Sequence, residues 1–502
     1  MGELKHKVIE GTFWNLLERF SGQVVSFCVA MILSRLLTPA DYGAVAILVI
    51  FTAIASVFVD SGFGTALVQK KVVSEVDFNS VFYFSICVGL LAYAFLYYTS
   101  PFIAEFYGIP LLKPLLRVSA ITLLFNAINS VQNAELRRGM KFRLSFRITL
   151  VATIVGGAAG VFLAYNGFGP WALVFSTLAS GIVGVAARWC LIGWRPRLAF
   201  SWISLRSMFG YGSRLMFSEL LNAGFNNLYG LLIGRLYSSA DLAFVQKGNH
   251  IPSLLMNNVN GTIGTVMFPA LSKIQDDLLR LRESMRRMMR LSLFFVFPIM
   301  AMLAVCSKPL IRLLFGEQWM QSTPYMQIAC FACALYPFHT VNLQGIQAIG
   351  RSDVFLKLEV IKKALALAAI IIFLPKGIIP YLVVTSFVLG PISVVINIYP
   401  NRKLLRYGFW TQMCDVIPVA GLTIAMILPS YFIGMLFPMN SVSQCLIVIC
   451  IQCGVGCLLF LSLSTVFRPK PVCDAVDILL SYLGGRIPWL RHVLERRFCA
   501  VK

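Results

Sequence analysis

The sequence predicts an all-α integral membrane protein of about 14 transmembrane helices, and three observations carry that prediction. Apolar residues make up 58% of the 502 positions and charged residues only 13%, against about 25% charged in soluble proteins. Stretches of about 20 mostly apolar residues, the length that crosses a hydrocarbon core, recur from end to end. Lys and Arg gather in every second loop, the positive-inside pattern of polytopic membrane proteins.

The first six expected spans lie near 12–36, 44–67, 80–99, 114–134, 147–166 and 169–190. Spans at 208–235 and 246–271 follow, both rich in Asn, Ser and Gly and weak by hydropathy alone. The remainder lie near 291–313, 324–348, 358–375, 378–399, 413–436 and 443–466. With Lys5 and Lys7 taken as cytoplasmic, the same side receives Lys70 and Lys71, the run from Arg137 to Arg147, Arg195 to Arg206, Lys273 to Arg290, Arg351 and Lys357, Arg402 to Arg406, and the basic tail. Both termini are therefore expected on that side. The polar first 11 residues precede no small-residue cleavage site, so the first span is expected to serve as its own insertion signal. Most of the formal net charge of +22 is absorbed by this topology, because anionic leaflets attract such loops. No nucleic-acid partner is needed to explain it.

An internal repeat organises the chain. Residues 33–41, LSRLLTPAD, align with 233–241, IGRLYSSAD, and the register continues without gaps through Gly64–Thr65 and Gly264–Thr265. Asp60 falls opposite Asn260. The offset of 200 corresponds to six spans, an even number, so the halves share one orientation and form a parallel repeat about an axis along the membrane normal. The expected organisation is an N-terminal lobe over 1–206, a C-terminal lobe over 207–400, and spans 13 and 14 with an amphipathic tail over 401–502.

Ionised groups inside spans are the candidate functional residues, since each costs about 2.5–3.5 kcal/mol at the centre of a membrane. Glu18 and Arg19 lie in span 1, Asp60 in span 2, Arg214 and Glu219 in span 7, and Lys247 and His250 in span 8. The same helices carry Asn222, Asn226, Asn257 and Asn258, the composition of a wet wall between lobes. Cations there suit an anionic headgroup, because guanidinium binds phosphate oxygens in pairs. A carboxylate such as Asp60, Glu18 or Glu219 could take H+ or Na+ and couple transport to an ion gradient. Bland readings compete at several sites. Arg35 and Arg235 end spans and can snorkel. Glu359 with Lys362 or Lys363 has the spacing of a helix-surface pair. Asp415 starts span 13 and can reach water. The sequence DSGFG after Val59 reads as a helix break.

Other chemistries find no support. The 13 cysteines are scattered, and those at helical spacing sit in apolar spans without histidine partners, which favours packing over metal binding. No metal or organic cofactor is expected. There is no P-loop or nucleophile elbow, and no loop is long enough for the catalytic domain of a polymerase or glycosyltransferase. Residues 274–293 read as an amphipathic helix on the basic face, with an extension of span 9 as the alternative. Residues 473–498 are also amphipathic.

Five segments in order, SRLLTPADYG (34–43), DSGFGTALVQKK (60–71), AELRRGMKFR (134–143), GFGPWALV (167–174) and FPALSKIQDD (268–277), resemble the Wzx-type polysaccharide exporters of the MOP transporter superfamily. The colanic-acid-type branch is the most similar, over about residues 10–410. The resemblance implies two six-helix bundles with two added C-terminal helices in a bacterial inner membrane. It implies flipping of an undecaprenyl-diphosphate-linked oligosaccharide from the cytoplasmic to the periplasmic leaflet, among membrane lipids and with polysaccharide polymerase machinery as a partner. The family's span-1 Arg and span-2 acid match Arg19 and Asp60. Glu219 stands at the offset-200 position of Arg19, so the charge is inverted in the second copy. On this reading Arg19, Arg214 and Lys247 bind the diphosphate and Asn222 and Asn226 meet sugars. The competing readings are a multidrug/cation antiporter of the same superfamily, which requires an acidic cavity, and a peptidoglycan-precursor flippase, which differs in the sugar carried.

Overall fold

The computed structural model describes residue 17 and residues 21–60, 63–70, 73–439, 441–467 and 470–474, and among these every regular element is helical. The order is α1 (Ser21–Leu36), α2 (Pro39–Asp60), α3 (Phe63–Gln69), α4 (Glu75–Tyr107), α5 (Leu112–Ser119), α6 (Ile121–Arg138), α7 (Phe142–Tyr165), α8 (Trp171–Leu191), α9 (Trp202–Leu236) and α10 (Ser239–Ser272). It continues with α11 (Leu278–Val305), α12 (Ser307–Leu314), α13 (Thr323–Ala334), α14 (Tyr336–Ala348), α15 (Ser352–Phe373), α16 (Ile378–Val383), α17 (Gly390–Leu404), α18 (Phe409–Leu436) and α19 (Val442–Phe467). Among the described residues nine helical stretches are long and apolar enough to cross a membrane: α2, α4, α5–α6, α7, α8, α11, α16–α17, α18 and α19. Helices α9 and α10 have 35 and 34 residues, about 50 Å each, so length does not exclude them. Their polar residues keep their mean hydropathy low, as their composition leads one to expect.

Packing divides the chain into two units, Met1–Ala243 and Phe244–Lys502. Helix α9 packs within the first unit. Phe209 lies against Phe63 with ring centroids 6.3 Å apart, and the Tyr107 hydroxyl donates to the Leu231 carbonyl at 3.2 Å.

In the first unit the tightest helix pair is α7 with α8. A Cβ added at Gly156 would collide with Ser176 and Ser180, and one at Gly160 with Ser176. The two serines use the space the glycines leave. Ser176 donates to the Gly156 carbonyl at 2.8 Å and Ser180 to the Ala152 carbonyl at 2.9 Å. Lipid tails provide no hydrophobic drive between helices, so close backbone approach and such hydrogen bonds supply the association.

The two segments that match at an offset of 200 begin their helices with similar caps. Thr38 caps α2: its hydroxyl accepts from the Asp41 amide at 3.2 Å, while the Asp41 carboxylate accepts from the Thr38 amide at 3.0 Å. Ser238 caps α10 in the same way, accepting from the Asp241 amide at 3.0 Å and donating to its carboxylate at 2.6 Å. The shared Asp is thus explained by capping, which satisfies amides that a helix start leaves open. A second correspondence lies at a different offset. Lys113-Pro114-Leu115-Leu116-Arg117 opens α5, and Lys308-Pro309-Leu310-Ile311-Arg312 opens α12. Both are eight-residue helices that follow a long span.

Three local expectations are corrected. The stretch 274–293 is no separate surface helix, because α11 runs unbroken from Leu278 to Val305. Its apolar stripe, Leu281, Met285 and Met289, is buried in a protein core with Phe338, Val341 and Tyr407. Span 9 therefore begins earlier than expected, and Lys308 to Leu314 lie in the separate α12. Asp415 does not reach water: its carboxylate is buried and bound by Arg286 and Tyr407. Arg117, on α5, has its own partners. It stacks on the Tyr97 ring at 4.0 Å and donates to Ser100 at 3.0 Å.

Candidate functional site

The polar residues of α9 form a continuous exposed track. Arg214, Ser218, Asn222 and Asn226 follow at four-residue steps, and all four are exposed. Four residues turn a helix by about 40° beyond a full circle, so the set stays within about 120° of one side. Further along α9 the surface is committed to packing: Gly230 approaches Ile50, and Gly234 approaches Ile47 and Tyr107. An exposed guanidinium and two amides against acyl chains would cost several kcal/mol, on the order of the insertion penalty for each charge. The track must therefore face water or a polar ligand.

Helices α2 and α9 run antiparallel, since Ile47 pairs with Gly234 and Ile50 with Gly230. Continued along both helices, this one-for-one register brings Asp60 level with Leu220 and Leu221, next in sequence to Glu219. Asp60 and Glu219 are both exposed. Asp60 is the last described residue of α2 and lies within electrostatic range of Arg137 on α6, while the expected helix break at 61–62 falls outside the described residues. The first unit thus gathers Arg214, Asn222, Asn226, Glu219 and Asp60 on two neighbouring helices.

Lys247 has a different setting. It is buried on α10, with its ammonium 4.7 Å from the centroid of Phe315 and 5.2 Å from that of Trp319. This aromatic slot serves the charge through cation–π attraction. Glu18 and Arg19 lie outside the described residues.

The second unit contains polar groups that the reading of its residues did not single out. His339 Nδ1 and the Asn397 amide lie 2.8 Å apart, and Thr340 donates to Asn260 at 3.1 Å. Lys362 pairs with Glu359, as the helix spacing allowed, but both are partly buried and Lys362 acts electrostatically on His339. The signal was available: His339 is an ionisable residue inside an apolar stretch, which marks a polar pathway by default. Asn260, the repeat partner of Asp60, meets α14, whereas Asp60 is influenced by α6.

Three comparisons bear on this arrangement. A family model described as polysaccharide biosynthesis protein matches residues 32–324. The chain is 23% identical over 375 residues to the lipopolysaccharide biosynthesis protein WzxC of Escherichia coli, covering 74% of this chain and 75% of the relative. It is 22% identical over 341 residues to the succinoglycan biosynthesis transport protein ExoT of Rhizobium meliloti, covering 68% and 69%. Its fold is similar to that of the lipid II flippase MurJ in an inward closed conformation, with a TM-score of 0.69, 17% identity, and coverage of 92% and 99%. A multidrug resistance MATE family transporter of the MOP superfamily, inward-facing, is similar at a TM-score of 0.55 and 15% identity, covering 82% of this chain and 99% of its own.

Proposed function

We propose a flippase reaction, proceeding from the premise that this chain belongs to the polysaccharide biosynthesis protein family. It is a membrane transporter rather than an enzyme. The cargo is an undecaprenyl-diphosphate-linked oligosaccharide repeat unit, moved from the cytoplasmic to the periplasmic leaflet of a bacterial inner membrane by alternating access. Arg214 holds the diphosphate, together with Arg19. Asn222 and Asn226 hydrogen-bond sugar hydroxyls, and the prenyl tail stays in the bilayer. Asp60 and Glu219 take and release the coupling ion, H+ or Na+.

One observation carries this reading: the exposed track of Arg214, Ser218, Asn222 and Asn226 on α9. Its chemistry, one guanidinium followed by neutral donors and acceptors, matches a phosphate joined to a sugar. A cation antiporter, the second reading that the fold permits, would want a predominantly acidic track. Transfer of the finished oligosaccharide to a polymerase is the step that follows.

The test is a deletion strain. Carrier-lipid-linked oligosaccharide should accumulate in the cytoplasmic leaflet, and its sugar composition identifies the cargo. Unchanged carrier-lipid intermediates would overturn the proposal. Accumulation of a peptidoglycan precursor instead would assign the cargo of the MurJ-type reading.

A further inference from the structure

The second unit holds a cavity of about 780 Å³ among α11, α18, α19 and the helical turn at 470–474. Its size is within the roughly 300–1,000 Å³ of small-ligand sites. The cavity has two chemically distinct ends. Arg286, Arg290, Asp415 and Lys470 line one, and Leu422, Ala425 and Leu463 line the other. Along α18, Asp415 and Ala425 are separated by about 15 Å of helix rise. The slot therefore leads from a charged mouth well into the apolar depth of the helices.

The mouth carries an excess of positive charge. Arg290 is buried and binds Asp474 at 2.8 Å, Arg287 lies 3.7 Å from the same carboxylate, and Arg286 binds Asp415 at 2.9 Å and Glu283 at 3.5 Å. Lys470 is exposed at the rim, and no carboxylate lies within ion-pair distance of it among the described residues. Arg286, Arg287, Arg290 and Lys470 thus face Asp415, Asp474 and Glu283. One phosphodiester would close that balance. A free phosphate would satisfy the charge but would leave the apolar slot unexplained. The basic end of the helices is also where anionic headgroups gather.

We propose that this cavity is a binding site for an anionic glycerophospholipid of the surrounding bilayer, its phosphate at Lys470 and Arg290 and one acyl chain along Gly421, Leu422 and Leu463. The site lies on α18 and α19, helices that carry none of the α9 track residues, and it does not depend on the identity of the transported cargo.

The test uses full-length protein, purified in mild detergent, stripped of lipid, and titrated with phosphatidylglycerol or phosphatidylcholine of identical chains. Bound lipid is counted by native mass spectrometry and unfolding is followed thermally. Phosphatidylglycerol should bind about tenfold more tightly than phosphatidylcholine and raise the unfolding temperature. Lys470→Ala should reduce that preference at least about threefold. Gly421→Phe should fill the slot, since a Cβ there meets nothing within 4 Å, and should lower phosphatidylglycerol affinity about tenfold. Should Gly421→Phe fail to fold, Gly421→Leu makes the same test. Equal binding of the two lipids, or variants that bind phosphatidylglycerol like the parent, would overturn the proposal. So would displacement of phosphatidylglycerol by an equimolar amount of undecaprenyl phosphate, which would assign the slot to the carrier lipid, or by inorganic phosphate alone.

Discussion

Arg286 grips Asp415 with two charge-assisted hydrogen bonds, its Nε and Nη2 each 2.9 Å from a carboxylate oxygen, across a sequence separation of 129 residues. Tyr407 adds a third bond to the carboxylate at 3.2 Å. The pair ties the basic end of α11 to the start of α18. Breaking a buried pair strands a charge, which costs about 3–5 kcal/mol, whereas replacing both partners by apolar groups is often neutral. Asp415→Ala should therefore lower the unfolding temperature in detergent sharply, and Arg286→Met with Asp415→Leu should recover most of the loss. Equal destabilisation by the single and double variants would show that the pair is not the fastener.

The approach of α7 to α8 admits only a very small residue at two positions. Gly156→Leu would push a branched side chain into Ser176 and Ser180 and should prevent accumulation of the folded protein. Ser180→Ala removes one hydrogen bond and opens no clash, so it should cost only about 0.6 kcal/mol, up to about 1.7. The check is the monodisperse fraction in size-exclusion chromatography. A well-behaved Gly156→Leu would mean the pair separates more easily than its geometry implies.

The repeat makes a matched pair of tests. Asp41 and Asp241 occupy the same capping position in the two copies, each bonded to the hydroxyl residue three positions earlier. Asp41→Ala and Asp241→Ala should each cost about 1 kcal/mol, within the range of about 0.5–2 for lost helix caps. Thermal unfolding that registers one and not the other would show that the copies differ in local stability.

Much of this was legible in the sequence, and the failures have physical causes. Apolar runs located the long helices because the bilayer imposes their length. The polar composition of α9 and α10 marked them as the wet ones. The role of Asp415 was not legible, since a partner 129 residues away leaves no local pattern. The stripe of Leu281, Met285 and Met289 has the right period, but periodicity does not say whether an apolar face meets lipid or protein. The aromatic slot around Lys247 was not legible either, since it comes from Phe315 and Trp319, far along the chain. The likeness of α5 to α12 was readable but falls at a shifted offset, which an ungapped comparison passes over.

If Arg214 holds a diphosphate, its geometry matters as well as its charge. Lysine keeps the charge and loses the planar fork that engages two phosphate oxygens. Arg214→Ala should reduce export of surface polysaccharide at least about tenfold with unchanged protein in the membrane, and Arg214→Lys should restore only part of it. Because Arg214 is exposed on α9, neither change should disturb folding. Wild-type export by Arg214→Ala would remove the residue from the mechanism.

Separate substitution of Asp60 and Glu219 distinguishes two roles that a loss of export alone would merge. A carboxylate that only lines the path should be replaceable by its amide with transport still responding to an imposed gradient. One that carries the coupling ion should lose that response, because an amide can neither be protonated in this range nor neutralise Na+. Asp60→Asn and Glu219→Gln should be reconstituted in proteoliposomes and assayed with lipid-linked oligosaccharide under a pH gradient and, separately, a Na+ gradient. The parent should respond to one gradient. The variant at the coupling site should transport at a gradient-independent basal rate, and the other should keep the response at a reduced rate. If both variants respond to the same gradient as the parent, the coupling group lies outside this pair.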